Sequence, residues 1–190
     1  MKINQITDAI FIGRIVKSEK SYSGTKPVFY QNKLKIDYSN DLPKGLVDRH
    51  LSIVYFICVN NTIYKIGQTS GKNGIRGCLN FYCSAGQDDP GPSRFTINAL
   101  IRECLSKNDS VEIYIKYLEP IEVEISGISK THNVMVPISA KCLEEVHLEE
   151  YRKITGANPS WNFQESGEPV PSYINENFAT YRKMRAEARK

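Results

Sequence analysis

Two consecutive runs of strand-forming residues constrain this chain more than anything else in it. Leu51 to Val59 is rich in β-branched and aromatic residues, Asn60-Asn61 follows, and Thr62-Ile63-Tyr64-Lys65-Ile66 leads to Gly67. Apolar runs flanking an Asn-rich turn predict an antiparallel hairpin. Its register has two solutions. A loop centred on Asn60 sets Tyr55 opposite Lys65. A strict two-residue turn at Asn60-Asn61 pairs Tyr55 with Ile66 and sends Lys65 to the other face, because strand side chains alternate with period two.

The elements around this hairpin follow from periodicity. Ile10-Phe11-Ile12, Val28-Phe29-Tyr30 and Leu34 to Tyr38 read as short strand pieces among turn formers. Ile75 to Tyr82 places Ile75, Cys78, Leu79 and Tyr82 on one helical face, and Phe95 to Ser106 turns Ile97, Leu100, Ile101, Cys104 and Leu105 inward. Val111 to Ile115 and Ile121 to Ile125 alternate as half-buried strands do. Ser139 to Ile154 is a helix with Leu143, Val146 and Ile154 along one face, and Pro171 to Arg189 is a basic terminal helix. This order predicts an α/β domain: a small, mostly antiparallel central sheet flanked by helices, spanning 51–163. Residues 1–50 form an N-terminal extension and 164–190 a basic C-terminal helical extension.

Composition removes several classes. With 190 residues and 41% hydrophobic content, one domain with an elaborated periphery is expected, and 24% charged residues argue against disorder. No apolar run reaches the ~18–20 residues of a membrane span. The start, Met1-Lys2-Ile3-Asn4-Gln5, lacks the pattern of a secretory signal. The cysteines (Cys58, Cys78, Cys83, Cys104, Cys142) include no CxxC pair, so free thiols in a reducing cytoplasm are expected, with no membrane association. A net charge of +4 permits a nucleic-acid partner without demanding one.

Several residues could carry chemistry. Tyr55 and Lys65 lie on the hairpin, Arg76 in the next helix and Glu150 in a later one, and Asn162 follows Pro159-Ser160-Trp161. A phenol takes a proton from water if its pKa is lowered, and ~2 units of lowering is worth ~3 kcal/mol, within reach of a close cation. A guanidinium neutralises charge building on phosphate oxygens. One carboxylate can hold a Mg²⁺ that keeps several of its waters. Taken singly, each residue is ordinary: a packed strand tyrosine, solvated charges, a turn-forming Asn. Only the ordered set is specific.

That set resembles the GIY-YIG nuclease superfamily. Ile53-Val54-Tyr55 and Lys65-Ile66-Gly67 look like its paired motifs, Arg76 fills its Arg position, and Glu150, Pro159, Trp161 and Asn162 match the spacing of its ending. Ile53 and Val54 replace the usual Gly-Ile, and Lys65 stands where Tyr is usual, as in small type II restriction endonucleases of this kind. The resemblance implies that Lys65 lowers the pKa of Tyr55, that Tyr55 is the general base and Arg76 stabilises the phosphoryl oxygens. It also implies that Glu150 binds one Mg²⁺ (or Mn²⁺) and Asn162 braces the site. Glu144, Glu145 and Glu149 on the same helix are alternatives to Glu150. Glu150 is favoured by its spacing and by a face shared with Leu143, Val146 and Ile154.

Lys72, Arg182, Lys183 and Arg185 are expected to contact DNA phosphates, which adds affinity without sequence information. Lys17, Lys20, Lys26, Lys33 and Lys35 make the N-terminal extension basic too. His147 reads as structural. The loop Gly67 to Lys72 does not fit a phosphate-binding loop, since Asn73 follows Lys72 where Ser or Thr is needed, so no nucleotide cofactor is expected. The expected activity is cleavage of double-stranded DNA by a homodimer, whose two identical sites suit two strands. A homing- or repair-type nuclease, an RNA-processing enzyme and a non-catalytic nucleic-acid-binding module are the competing readings.

Overall fold

A computed structural model describes residues 1–21, 29–30, 32–70, 74–85 and 90–188. Five strands form one antiparallel sheet in the order β2-β1-β5-β3-β4: β1 is Ile10–Ser21, β2 Asn32–Tyr38, β3 Ile53–Val59, β4 Thr62–Thr69 and β5 Val111–Tyr117. The N-terminal region 1–50 thus supplies two of the five strands. Phe29 and Tyr30, expected in a strand, lie in a bend instead, and Val28 falls outside the described residues.

Helices cover both faces. Helix α1 (Gly74–Cys83) and helix α2 (Pro92–Ser106) close one side, where Ile53, Ile57, Ile113 and Ile115 meet Ile75, Leu79, Ile97 and Ile101. Helix α3 (Ala140–Thr155) closes the other, where Val54, Phe56, Cys58 and Ile66 meet Leu148 and Tyr151. With both faces buried, β3 loses the in-out alternation of a half-exposed strand, so its sequence is a continuous apolar run. Ser139 caps α3 by accepting from the Cys142 N–H, and Gly156 ends it at a φ of 78°, a left-handed conformation that favours glycine. A short helix α4 (Phe163–Ser166) precedes α5 (Ser172–Glu187), which packs on α2 through Phe95, Ala99, Ile174 and Tyr181.

Two expectations are corrected. Ile121–Ser126 (β6) does not join the main sheet; it pairs with Thr131–Val136 (β7), a strand not predicted, in a separate two-stranded ribbon. Its alternating pattern is real, but among the described residues nothing packs heavily on its apolar face. The inward face of α3 is also different. Ala140, Leu148 and Tyr151 are buried, whereas Val146 and Ile154 are exposed, so Glu150 does not point to the core. Apolar residues occur around the helix, and periodicity alone picked the wrong stripe. Among the described residues, no helix is long and apolar enough to cross a membrane.

Candidate active site

The hairpin turn is the two-residue kind: Asn60 and Asn61 adopt positive φ of 48° and 64°, and Val59 pairs with Thr62. Neither predicted register survives beyond it. Cys58 pairs with Ile63, but Ile57 pairs with Lys65 and Tyr55 with Gly67, so one extra residue, Tyr64, bulges out of β4. The bulge reverses the parity of the strand. Lys65, which an uninterrupted two-residue hairpin would send to the α3 side, comes back to the face that carries Tyr55 and Ile57. Contacts from distant segments hold it there. The Trp161 N–H donates to the Tyr64 carbonyl at 2.8 Å, and the Trp161 ring packs on Tyr64.

Gly67 lies directly opposite Tyr55, and a Cβ at 67 would overlap the Tyr55 ring and hydroxyl. The glycine after Ile66 is therefore what lets the phenol lie flat across β4. The Tyr55 hydroxyl shares a hydrogen bond of 2.8 Å with the Tyr82 hydroxyl from α1. The C-terminal turn of α1 is in turn held by α2. Buried Asn98 donates to the Tyr82 carbonyl at 2.6 Å, and Arg94 donates to the Phe81 carbonyl.

Asn162 is fully buried and clamps the outer edge of β4. Its side-chain oxygen accepts from the Ile66 N–H at 2.9 Å and its amide donates to the Ile66 carbonyl at 2.8 Å, replacing the strand that β4 lacks on that side. Ile66 is the residue between Lys65 and Gly67, so this clamp fixes both.

Tyr55, Lys65, Tyr82, Glu144 and Glu165 line one cleft of about 440 Å³ at this edge. Its electrostatics follow from burial and crowding of like charge. Burial, then Tyr82, Glu144 and Glu165, push the Tyr55 phenol well above its usual value, and burial pushes Tyr82 up to about 12. Burial lowers Lys65, while Glu165 and Glu144 work the other way. Burial and the neighbouring Glu165 raise Glu144. The expectation that Lys65 lowers the Tyr55 pKa is thus not met in the protein alone, where the partners of Lys65 are carboxylates.

The other sequence candidates lie elsewhere. Arg76, on the first turn of α1, is outside the cleft lining; its guanidinium pairs with Asp48 at 3.1 Å and stacks over Tyr38. Glu150 is exposed beside His147, and Glu145 and Glu149 pair with Lys141 and Lys153 at the surface. Of the four helix glutamates, Glu144 is the one in the cleft. Lys72 lies outside the described residues. Arg182 and Lys183 are exposed on α5, and Arg185 donates to the Tyr181 hydroxyl at 3.1 Å. Sequence reasoning missed Tyr82, taken as core because it shares a stripe with Ile75 and Leu79, and Glu165, which sits in the region treated as an extension.

Among the described residues, no group of three or more His, Cys, Asp or Glu is arranged as a metal cage. The cleft does offer hard oxygen donors, and its charge is lopsided: Lys65 is the one cation among the described lining residues, against Glu144, Glu165 and Glu168. Such a cleft repels a phosphodiester unless a divalent cation enters with it. One or two carboxylates and several retained waters are the usual holding of Mg²⁺, so the donor set fits that ion.

No protein-family model matches the chain, and no curated protein matches it. Among solved structures, a mutant of bacteriophage T4 EndoII aligns over 85% of this chain and 99% of its own at 16% identity, with a TM-score of 0.46. Restriction endonuclease HPY188I in complex with product DNA aligns over 80% of this chain and 78% of its own at 18% identity, with a TM-score of 0.40.

Proposed function

We propose that this protein is a metal-dependent endonuclease that hydrolyses phosphodiester bonds of double-stranded DNA, with a restriction-type role, and that it works as a homodimer with one site per copy. The observation that carries this reading is the convergence of Tyr55, Lys65 and Glu144 on one cleft from three separate stretches of sequence. The resemblance of the two hairpin motifs to the GIY-YIG nucleases supports it.

In this reading Tyr55 accepts the proton of the attacking water. Tyr82, already hydrogen-bonded to the same oxygen, donates to the phenolate as it forms. The raised phenol of the free protein stays protonated near neutrality, so it becomes a base only when positive charge enters the cleft. Lys65 faces the phosphate oxygens. Glu144, helped by Glu165, would hold one Mg²⁺ or Mn²⁺, in place of the sequence choice Glu150. Such an ion, when bound, would supply Lewis-acid charge neutralisation. Asn162 positions Lys65 and Gly67 through the β4 backbone. Arg76 approaches phosphate only if its pair with Asp48 opens. Arg182, Lys183 and Lys72 remain proposed phosphate contacts.

The runner-up is a nucleic-acid-binding module without catalysis, favoured by the placement of Arg76 outside the cleft. Plasmid cleavage with and without Mg²⁺ or Mn²⁺ separates the two. Wild type should cut, Tyr55→Phe and Glu144→Gln should each lose ~10³-fold or more, and Glu150→Gln should cut as wild type does. Binding of DNA with no cleavage under any divalent metal makes the binding module correct, and preference for RNA makes it an RNA-processing enzyme.

A further inference from the structure

Phe81 breaks the pattern of its helix. On α1, Ile75, Leu79 and Cys83 are buried, yet Phe81 is 49% exposed. A single exposed apolar side chain is ordinary in itself. What sets this one apart is its company. Its ring centroid lies 5.6 Å from that of Tyr82, and the Tyr82 ring lies 6.1 Å from Tyr55. The exposed ring is therefore two aromatic contacts from the phenol in the cleft. The Arg94 guanidinium stands over the Phe81 ring, 4.3 Å from its centroid. Arg94 also donates to the Phe81 carbonyl and to the Ser84 hydroxyl, which ties ring, cation and the end of α1 into one arrangement. Ser93, the neighbour of Arg94 in the chain, lines the cleft.

The chemistry of this patch selects its occupant. One ring under a guanidinium, between the half-buried polar residues Asn80 and Ser84, is too small and too charged for the apolar centre of a protein interface. It fits a nucleotide: the base stacks on the ring, and the guanidinium adds cation–π attraction and charge for a phosphate. Successive phosphates of one strand advance only about 3.4 Å along a duplex, so a nucleotide a few steps from the phosphate at Tyr55 comes within reach of Phe81. The faces of a paired base are already covered by its neighbours in the stack. A base uses Phe81 only if that step is opened, by a wedged ring or by extrusion of the nucleotide.

We propose that Phe81, backed by Arg94, is a stacking platform for a base that the DNA substrate unstacks beside the scissile phosphate. The duplex is then locally opened where it is cut. This inference rests on the reading of the cleft as a DNA nuclease site and adds to it a residue that touches substrate outside the cleft.

The test uses the full chain and a duplex spanning a mapped cut. Each side of the scissile phosphate carries in turn 2-aminopurine, a base whose fluorescence rises when it is unstacked. The Tyr55→Phe protein keeps this DNA whole. Its binding should raise the fluorescence on one side severalfold, and adding Phe81→Ala should abolish the rise and weaken binding ~10-fold or more. In plasmid cleavage Phe81→Ala alone should lower kcat/KM by a similar factor, Phe81→Tyr should restore it, and Phe81→Leu should not. Melting temperatures of the three variants should match wild type. No rise on either side overturns the proposal, as does cleavage by Phe81→Ala at the wild-type rate. If Phe81→Ala lowers the melting temperature, the other two variants decide: Phe81→Leu as active as Phe81→Tyr assigns the ring to packing and overturns the proposal too. A wild type that cuts no DNA removes the nuclease reading itself. A wild type that cuts beside an equally active Phe81→Ala removes the platform alone.

Discussion

Strands β4 and β7 are both edge strands, yet the chain closes one edge and leaves the other open. Along β4, Asn162 takes the N–H and C=O of Ile66, the Trp161 N–H takes the Tyr64 carbonyl, and the Tyr151 hydroxyl donates to the Ile63 carbonyl at 3.4 Å. Along β7, no described residue outside β6 is paired by backbone hydrogen bonds. The closed edge has one register, bulge included, and that single register is what aims Tyr55, Lys65 and Gly67 into the same cleft. The open edge has alternating apolar side chains but no partner to fix them. Groups that must be held to within fractions of an ångström need an edge of the first kind.

The largest effect should come from opening the closed edge. Asn162→Ala removes both hydrogen bonds to Ile66 and leaves two buried backbone groups without partners, so urea unfolding should show a loss of about 3 kcal/mol. A loss under about 1 kcal/mol would mean that β4 is held chiefly by packing. Gly67→Ala should cost less in stability, about 1–2 kcal/mol, because the phenol can swing aside. It should nevertheless cost cleavage as much as Tyr55→Phe does, and retained activity would remove the phenol from the mechanism.

The alkaline limb of stability is subtler. The folded phenols of Tyr55 and Tyr82 stay protonated above pH 10.0, where the unfolded phenols release their protons, so stability is complete below that pH and falls above it. Tyr55→Phe removes one such proton and should lessen the fall between pH 10 and 11 by ~1 kcal/mol. The same logic applies to Glu144, raised above 4.5 in the folded state: its contribution is full in acid and lost as pH rises, so Glu144→Gln should stabilise the protein by ~0.5 kcal/mol at pH 7 and not at pH 4. Smallest of all, Val134→Lys at the open edge should leave unfolding within ~0.5 kcal/mol of wild type, in contrast to Asn162→Ala.

Much of the architecture was legible along the chain. Helices α1, α2 and α3 fall where their periodicity put them, α5 lies in the expected basic terminal stretch, and the central hairpin turns at Asn60-Asn61. The ribbon was half legible: β6 showed its alternation, but β7, with Thr131, His132 and Asn133 in its first half, carries too weak an apolar signal to stand out.

The sequence by itself determined the central hairpin, the main helices and the presence of Tyr55, Lys65 and Gly67 on that hairpin, because these depend on neighbours within a few residues. Only the tertiary structure decided which face Lys65 takes and which glutamate joins it. Strand parity inverts with a single extra residue, and the Tyr64 bulge is held by Trp161, far along the chain. The choice of Glu144 over Glu150 turns on which stripe of α3 meets β3 and β4, and six residues along a helix set two side chains about a third of a circle apart.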